Sequence, residues 1–493
     1  MRTADDPTFF RLNEGMLSID GRQKKAHVRF LAEDADPHQA HITLISGANG
    51  TSKSRMLASI VESMRDRARS EGISGKRERS KKENVGLHWS DLRTLGNVTE
   101  PEQLHLDGPL PSRTLAISTI VMDKFPYTAG RTDKEDHFYY YLGSRQASNA
   151  VMIGAIGRSM ADALVNLLPD PHRFDTFLEW TDLVFGRSCD IALEFDRLSK
   201  RQIERFLFEG DQEDFIRNRL ESRRQRTGRP EVAVEEVQRI AESTAQFFRF
   251  LLQYGEETDP PNVRSSGRRG LVLTLSERNQ NMAHGLEAMW SSLSDLSKAG
   301  FSPIPSVLVK LEAWIDFNSL SSGEQNILST GAKLIAYSAP GCLILIDEPE
   351  VSLNVAWQQK YVGLIIRSLE HAPGSHVLIA THSPHLVANL PRGMATVLII
   401  SKTENGLEFL TEPAEFEGWG AETVLYEVLG IPSASSFLFN REIASVLEHI
   451  QDGGRDSQLL DDFLAKGETI QTSNIEPLEE ILGAIREYRD QLD

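Results

Sequence analysis

Hydrophobic and polar positions along this chain follow two periods. Short runs that are apolar almost throughout and end abruptly in polar residues recur at His41-Ile42-Thr43-Leu44-Ile45, Leu115 to Val121, Cys342-Leu343-Ile344-Leu345-Ile346, His376 to Ala380 and Thr396 to Ile400. Such runs predict strands buried on both faces, as in a largely parallel sheet covered by helices. Phe9 to Leu12, Ala26 to Leu31, Arg268 to Leu275 and Ser306 to Leu311 also read as strands. Elsewhere apolar residues return every three or four positions, the mark of a helix with one buried stripe. Met56, Leu57, Ile60, Val61 and Met64 do so, and so do Val234, Val237, Ile240, Thr244, Phe247 and Leu251. Trp357 to Leu369 predicts a further helix, and from about Gly157 to Gly300 the texture is helical. No heptad seam lasts long enough for extended coiled-coil arms.

At 493 residues the chain exceeds one ordinary core. The pattern divides it into 1–156 and 301–401, the two strand-rich lobes, with a helical lobe at 157–300 inserted between them. An acidic helical extension, 402–493, follows. Of the formal net charge of −18, −14 falls between Ser401 and Asp493. That imbalance reads as a solvated face or partner dock, and it leaves room for a basic surface elsewhere. The tail's last stripe, Ile475, Leu478, Ile481, Leu482 and Ile485, is expected to dock a partner, with the tail's own domain as the other acceptor. Cys189 and Cys342 lack metal spacing, so no disulfide framework is implied and a reducing cytoplasm is expected. No apolar h-region follows Met1, and no apolar run approaches the ~20 residues of a membrane span. A soluble cytoplasmic protein with no membrane partner is the expectation.

The first buried strand enters Gly47-Ala48-Asn49-Gly50-Thr51-Ser52-Lys53-Ser54 and then a helix. Strand, glycine-rich loop and helix N-terminus together make a phosphate cradle, because loop N–H groups and the helix dipole both favour an anion. Gly47, Asn49, Gly50, Thr51, Ser52, Lys53, Ser54 and Arg55 are the candidate nucleotide contacts. Lys53 would reach the β- and γ-phosphates and the Ser54 hydroxyl would ligate Mg²⁺. Ser52 stands where the usual pattern has Gly, so its side chain either crowds the phosphates or tolerates the local backbone. Asp347, Glu348 and His382 lie just past the carboxyl ends of two other strands, where such sheets place their chemistry. Six arginines fall between 217 and 229, among them Arg223, Arg224 and Arg226. A phosphate clamp on DNA or RNA and a solvated loop facing a neighbouring subunit's acidic surface stand level as readings. Gly75 to Glu83 reads as a charged surface loop, and Phe138 to Gly143 as an aromatic strand with one packed face.

At these motifs the chain resembles the ABC-type ATPases, in the branch holding SMC-type, RecF-like and overcoming-lysogenisation-defect proteins. Walker A is Gly47 to Ser54, the signature Leu320 to Gln325, Walker B Cys342 to Glu348, and the H-loop His382. The resemblance implies an α/β P-loop ATPase head with a mixed sheet and an inserted helical lobe, using ATP and Mg²⁺. In it Asp347 and Ser54 would hold the metal, Glu348 would activate water, and His382 would contact the γ-phosphate. Ser321, Ser322, Gly323 and Glu324 would complete a partner's pocket, so a head-to-tail homodimer or higher homo-oligomer is implied. Asn354 replaces the usual Asp or His of the D-loop, and no Gln marks the Q-loop, for which Asp123 is the candidate. Walker A, the Tyr139 to Gly143 aromatics and Gly418-Trp419 before the acidic tail are similar to the ATPase subunit of Septu-type and retron-associated anti-phage defence systems. That similarity implies an HNH-type endonuclease partner, which the ATPase would sense or restrain. No intrinsic nuclease is expected, since the residues after His382 hold no His-rich metal cluster. A RecF-like DNA-repair ATPase and a nucleotide-gated scaffold with little turnover are the alternatives.

Overall fold

The computed structural model describes residues 9–18, 25–32, 36, 38–47, 50–73, 97–98, 104–107, 110–120, 123–127, 138–143, 155–195, 198–227, 233–258, 270–276, 279–290, 292–298, 301, 305–403, 406–416, 418–428, 437–454, 456–469 and 476–491. The Gly75–Glu83 insert lies outside them. Two compact units divide the chain, Met1–Val424 and Leu425–Asp493.

The central sheet of the first unit uses β3 (His41–Gly47), β6 (Thr114–Ser118), β7 (Tyr139–Tyr141), β13 (Leu343–Asp347), β14 (His376–Ala380), β15 (Ala395–Thr403) and β16 (Gly406–Pro413). Their order is β16-β15-β3-β14-β13-β6-β7. All neighbours run parallel except the edge strand β16, which pairs antiparallel with β15. β6, β13 and β14 are buried at every position, as their unbroken apolar runs require. Helix α1 (Lys53–Ser70) leaves β3 through the glycine-rich loop. Its predicted stripe, Met56, Leu57, Ile60, Val61 and Met64, is buried in one cluster with Leu345, Leu378 and Leu398 of the sheet. Phe10, Leu12, Val28 and Phe30 join that cluster from a small antiparallel sheet of β1 (Arg11–Ser18), β2 (Lys25–Arg29), β4 (Asn97–Val98) and β5 (Leu104–Asp107).

Helices α2 (Ala155–Leu167), α3 (Pro171–Phe185), α4 (Lys200–Phe208), α5 (Gln212–Thr227), α6 (Val234–Tyr254), α7 (Gln280–Trp290) and α8 (Leu293–Lys298) fill most of the stretch read as helical. That stretch also contains β8 (Asp190–Phe195), which the reading missed because Ile191-Ala192-Leu193 is too short to separate from a helix by periodicity. β8 is the middle strand of a third, antiparallel sheet with β9 (Glu256–Thr258), β10 (Gly270–Thr274), β11 (Ser306–Lys310) and β12 (Trp314–Asp316), ordered β12-β11-β8-β10-β9. From β12 the chain enters α9 (Ser322–Tyr337), buried at nearly every position from Gly323 to Ala336. A helix buried on all sides is a core element. α9 packs on α2, α3 and α10 (Val355–Ser368).

A polar cluster closes the end where these strands begin. Arg11, 2% exposed, donates to the carbonyls of Phe10, Gly374, Ser375, Asp36 and Gln39 at 2.7–3.0 Å. His376 accepts from the Leu12 N–H at Nδ1 (3.1 Å), while its Nε2 lies 2.9 Å from the Thr43 hydroxyl. Because that hydroxyl donates to the Phe30 carbonyl (2.6 Å), Nε2 carries the proton and the ring is neutral. His41 contacts the Thr396 hydroxyl at 3.0 Å.

The second unit contains α12 (Phe437–Gln451), α13 (Ser457–Thr469) and α14 (Glu476–Asp490). Val446, Leu460, Phe463, Leu482 and Ile485 form its own core, with Ile481 packed against it. The described part of the terminal stripe is therefore satisfied within the unit, which corrects the expected hydrophobic dock. The apolar side chains that α12 and α13 present are enough to cover it. Ile475 and the Leu478 side chain lie outside the described residues.

Candidate functional site

Strand register assembles the site. Asp347 is paired with Ala380 and with Ser118, and Ala380 with Ile45, so four strands end level. The glycine-rich loop, Glu348, His382 and Asp123 all follow those ends. Gly47 admits no side chain, because a Cβ there would lie 2.3 Å from the Ile400 carbonyl oxygen. Ser52 is the N-cap residue of α1 and sits in the left-handed region at φ 66°, which explains why glycine usually stands at this point. Lys53 Nζ donates to the Gly47 carbonyl (2.8 Å) and lies 2.8 Å from His382 Nε2. Ser54 Oγ donates to Asp347 Oδ1 at 2.9 Å, joining the loop to the end of β13. His382 Nε2 is 3.8 Å from Glu348 Oε1. Thr51 is buried and Arg55 half-buried; Asn49 lies outside the described residues.

Burial dominates the electrostatics. Asp347 is pushed up to about 7 by desolvation and by its neighbours Glu348, Asp123 and Glu350, against the pull of the Ser54 hydroxyl. Desolvation lowers Lys53 to about 8, although Glu348, Glu350 and Asp347 oppose the shift. Burial pushes Glu350 up, and it lowers His382 with help from Lys53. Carboxylates thus outnumber cations around Asp347. A hydroxyl and a hard carboxylate oxygen crowded by further anions suit a divalent ion such as Mg²⁺, which needs only one or two protein ligands beside phosphate oxygens. No cluster of three or more metal-ligating side chains occurs among the described residues.

Beside this pocket the N-terminus of α9 meets the turn after Glu348. Ser321 caps α9: its hydroxyl accepts from the Glu324 N–H (3.3 Å), and Glu324 Oε2 accepts from the Ser321 N–H (2.8 Å). Ser321 and Ser322 remain exposed. Gly323 packs so closely that a Cβ would lie 2.9 Å from the Ser352 carbonyl oxygen. Asn326 Nδ2 donates to the carbonyls of Pro349 (3.1 Å) and Val351 (2.9 Å). Asn354 accepts from the Trp357 N–H as the cap of α10. Among the described residues, Ser52, Glu348 (φ 45°) and Ser352 (φ 72°) are the only non-glycines with positive φ, and all three lie here. Strained backbone of this kind gathers at functional sites.

A family model described as "AAA domain, putative AbiEii toxin, Type IV TA system" matches residues 165–388, which include the Leu320–Gln325 stretch, Asp347, Glu348 and His382. The Septu protein PtuA of Bacillus thuringiensis is 29% identical over 101 residues, 20% of this chain and 24% of PtuA. Over these stretches the chain is similar to an AAA-type ATPase domain and to PtuA. The stretch it shares with that relative spans about a quarter of PtuA's length. Two SMC head structures also align with the ATPase at 12% identity. One is the SmcHead bound to the C-winged helix domain of ScpA, with a TM-score of 0.29, covering 82% of this chain and 98% of that one. The other is a head with an extended coiled coil, bound to the C-terminal domain of ScpA derived from Pyrococcus furiosus. Its TM-score is 0.30, and the alignment covers 85% of this chain and 100% of that one.

The ATPase's arginine cluster is helical rather than looped, as α5 runs to Thr227. Arg217 pairs with Asp214 (2.6 Å), Arg219 lies over the Phe301 ring, and Arg223 donates to the Ser297 carbonyl. Arg224 is exposed, and the Arg226 side chain lies outside the described residues. Tyr139 is buried, and Tyr141 donates to Asp123 (2.6 Å), so the aromatic strand braces the loop after β6. Sequence reading missed Glu350 and Asn326. The third acid of Asp347-Glu348-Pro349-Glu350 was a visible signal, whereas nothing marked Asn326.

Proposed function

We propose that the chain binds ATP with Mg²⁺ and hydrolyses it, as the ATPase subunit of an anti-phage defence complex. The observation that carries the catalytic half is the bond from Ser54 Oγ to Asp347 Oδ1, with Lys53, Glu348 and His382 gathered around it. Loop N–H groups, the α1 N-terminus and Lys53 receive the phosphates. Ser54 and Asp347 would hold the metal, which would supply charge neutralisation to the phosphates. Glu348 accepts a proton from the attacking water, and His382 gives up its contact with Lys53 to meet the γ-phosphate. Ser321 and Ser322 are exposed, which supports the reading that they complete the pocket of a second copy in a head-to-tail homodimer.

Similarity to PtuA supports the defence role, and with it an HNH-type endonuclease as the partner that ATP state restrains or releases. Glu348→Gln should keep ATP binding but lower turnover by about a hundredfold or more, the loss expected of a missing general base. Steady-state phosphate release on the purified protein tests this, and unchanged turnover overturns the assignment. Co-purification of the neighbouring gene's product, with and without ATP, tests the partner.

A further inference from the structure

Resting on the ATPase reading, we propose that Glu350 is a positioning residue that holds His382 in place and ties it to the exposed surface at the start of α9. Glu350 Oε1 accepts the His382 backbone N–H at 2.6 Å, a short bond of the charge-assisted kind. The carboxyl group is buried, and the neighbouring Thr381 hydroxyl also acts on it. A buried carboxyl group is costly unless it is hydrogen-bonded, so the His382 N–H is the contact that offsets the burial of Glu350.

The contacts on either side define its role. Towards the pocket, the residue whose N–H Glu350 grips places its ring 2.8 Å from Lys53 Nζ and 3.8 Å from Glu348 Oε1. Away from it, the Glu350 carbonyl accepts from the Leu353 N–H (2.9 Å), closing the turn that contains Ser352. Asn326 of α9 grips the same turn at the carbonyls flanking Glu350, those of Pro349 and Val351. Gly323 rests against the Ser352 carbonyl. An unbroken series of contacts therefore runs from His382 through Glu350 to Gly323. Movement of His382 towards a γ-phosphate pulls on the turn that seats Ser321 and Ser322. Occupancy of one pocket is in this way reported to the surface offered to the other pocket of a dimer.

Glu350→Ala and Glu350→Gln, made in the full chain, separate this role from packing. The amide oxygen of Gln still accepts the His382 N–H, whereas Ala offers nothing. Glu350→Ala should lower kcat by about tenfold or more with KM for ATP changed less than about twofold, since a positioning group acts in the transition state. Glu350→Gln should recover most of that loss. Hydrogen exchange, measured without ATP, should accelerate across His382 to Leu386 in Glu350→Ala and stay near wild type in Glu350→Gln. Combining Glu350→Ala with His382→Ala should cost no more than His382→Ala alone. Wild-type kcat in Glu350→Ala would overturn the proposal, as would unchanged exchange, or a Gln variant as impaired as Ala. If wild type and Glu348→Gln both fail to release phosphate, the ATPase reading fails instead, and the exchange comparison still decides whether Glu350 holds His382.

Discussion

Where β3, β13 and β14 begin, Arg11 spends its guanidinium on five carbonyls and His376 has a partner on each ring nitrogen. Where the same strands finish, Asp347, Glu348 and Glu350 crowd one lysine, and three residues take left-handed backbone. Both ends bury charge, so burial alone does not mark the chemistry. What separates them is satisfaction: the first end leaves little for a ligand to improve, while the second holds anions short of cations and backbone short of comfort. The first end is arranged for stability, and the second is the candidate for chemistry.

Substitution at the two ends should therefore have opposite profiles. Arg11→Leu strips a donor set from five carbonyls, three of them in buried contacts, and should destabilise the first unit by roughly 3 kcal/mol or more, while folded molecules still bind ATP. Lys53→Met should weaken ATP binding by about tenfold to a hundredfold yet shift stability by under about 1 kcal/mol. Urea titration and nucleotide binding on both variants check the pair, and similar profiles would erase the distinction.

Acid sharpens it further. Desolvation lowers His41 to about 4 and His376 well below its ordinary value. Unfolded chains take up the proton below about pH 6.5, and the fold refuses it. Stability contributed by each histidine is present above that value and lost as pH falls, at about 1.4 kcal/mol per pH unit down to about pH 4 for His41. His41→Asn should remove one such slope from the pH dependence of the urea midpoint. The smallest expected effect is at the loop: Ser52→Gly relieves the left-handed φ and should stabilise by about 0.5 kcal/mol once the glycine's greater chain entropy is counted. Thermal unfolding with and without ATP would show whether the strain belongs to the fold or to the ligand.

Much of this was legible in the residues. Apolar runs such as Ile344-Leu345-Ile346 place strands, their polar ends place Asp347 and Glu348, and the helix stripe after Ser54 fixes the direction of the loop. β8 was hidden because a short apolar run in helical surroundings has no period of its own. The role of Glu350 was hidden for another reason: it comes from a residue thirty-two positions away, and no local pattern encodes that contact. The terminal stripe showed the converse limit. Periodicity reveals that Leu482 and Ile485 are buried but not by what, and here the cover comes from α12 and α13.

That three-helix unit, with a core of its own, also bears on how unfolding is followed. A chain of two compact units need not lose both in one transition, and a single melting temperature then describes neither. All six tryptophans lie at or before Trp419, within Met1–Val424. Tryptophan fluorescence is therefore a reporter for the first unit alone, and the loss of α12 to α14 passes unseen unless a far-ultraviolet or exchange signal is recorded beside it.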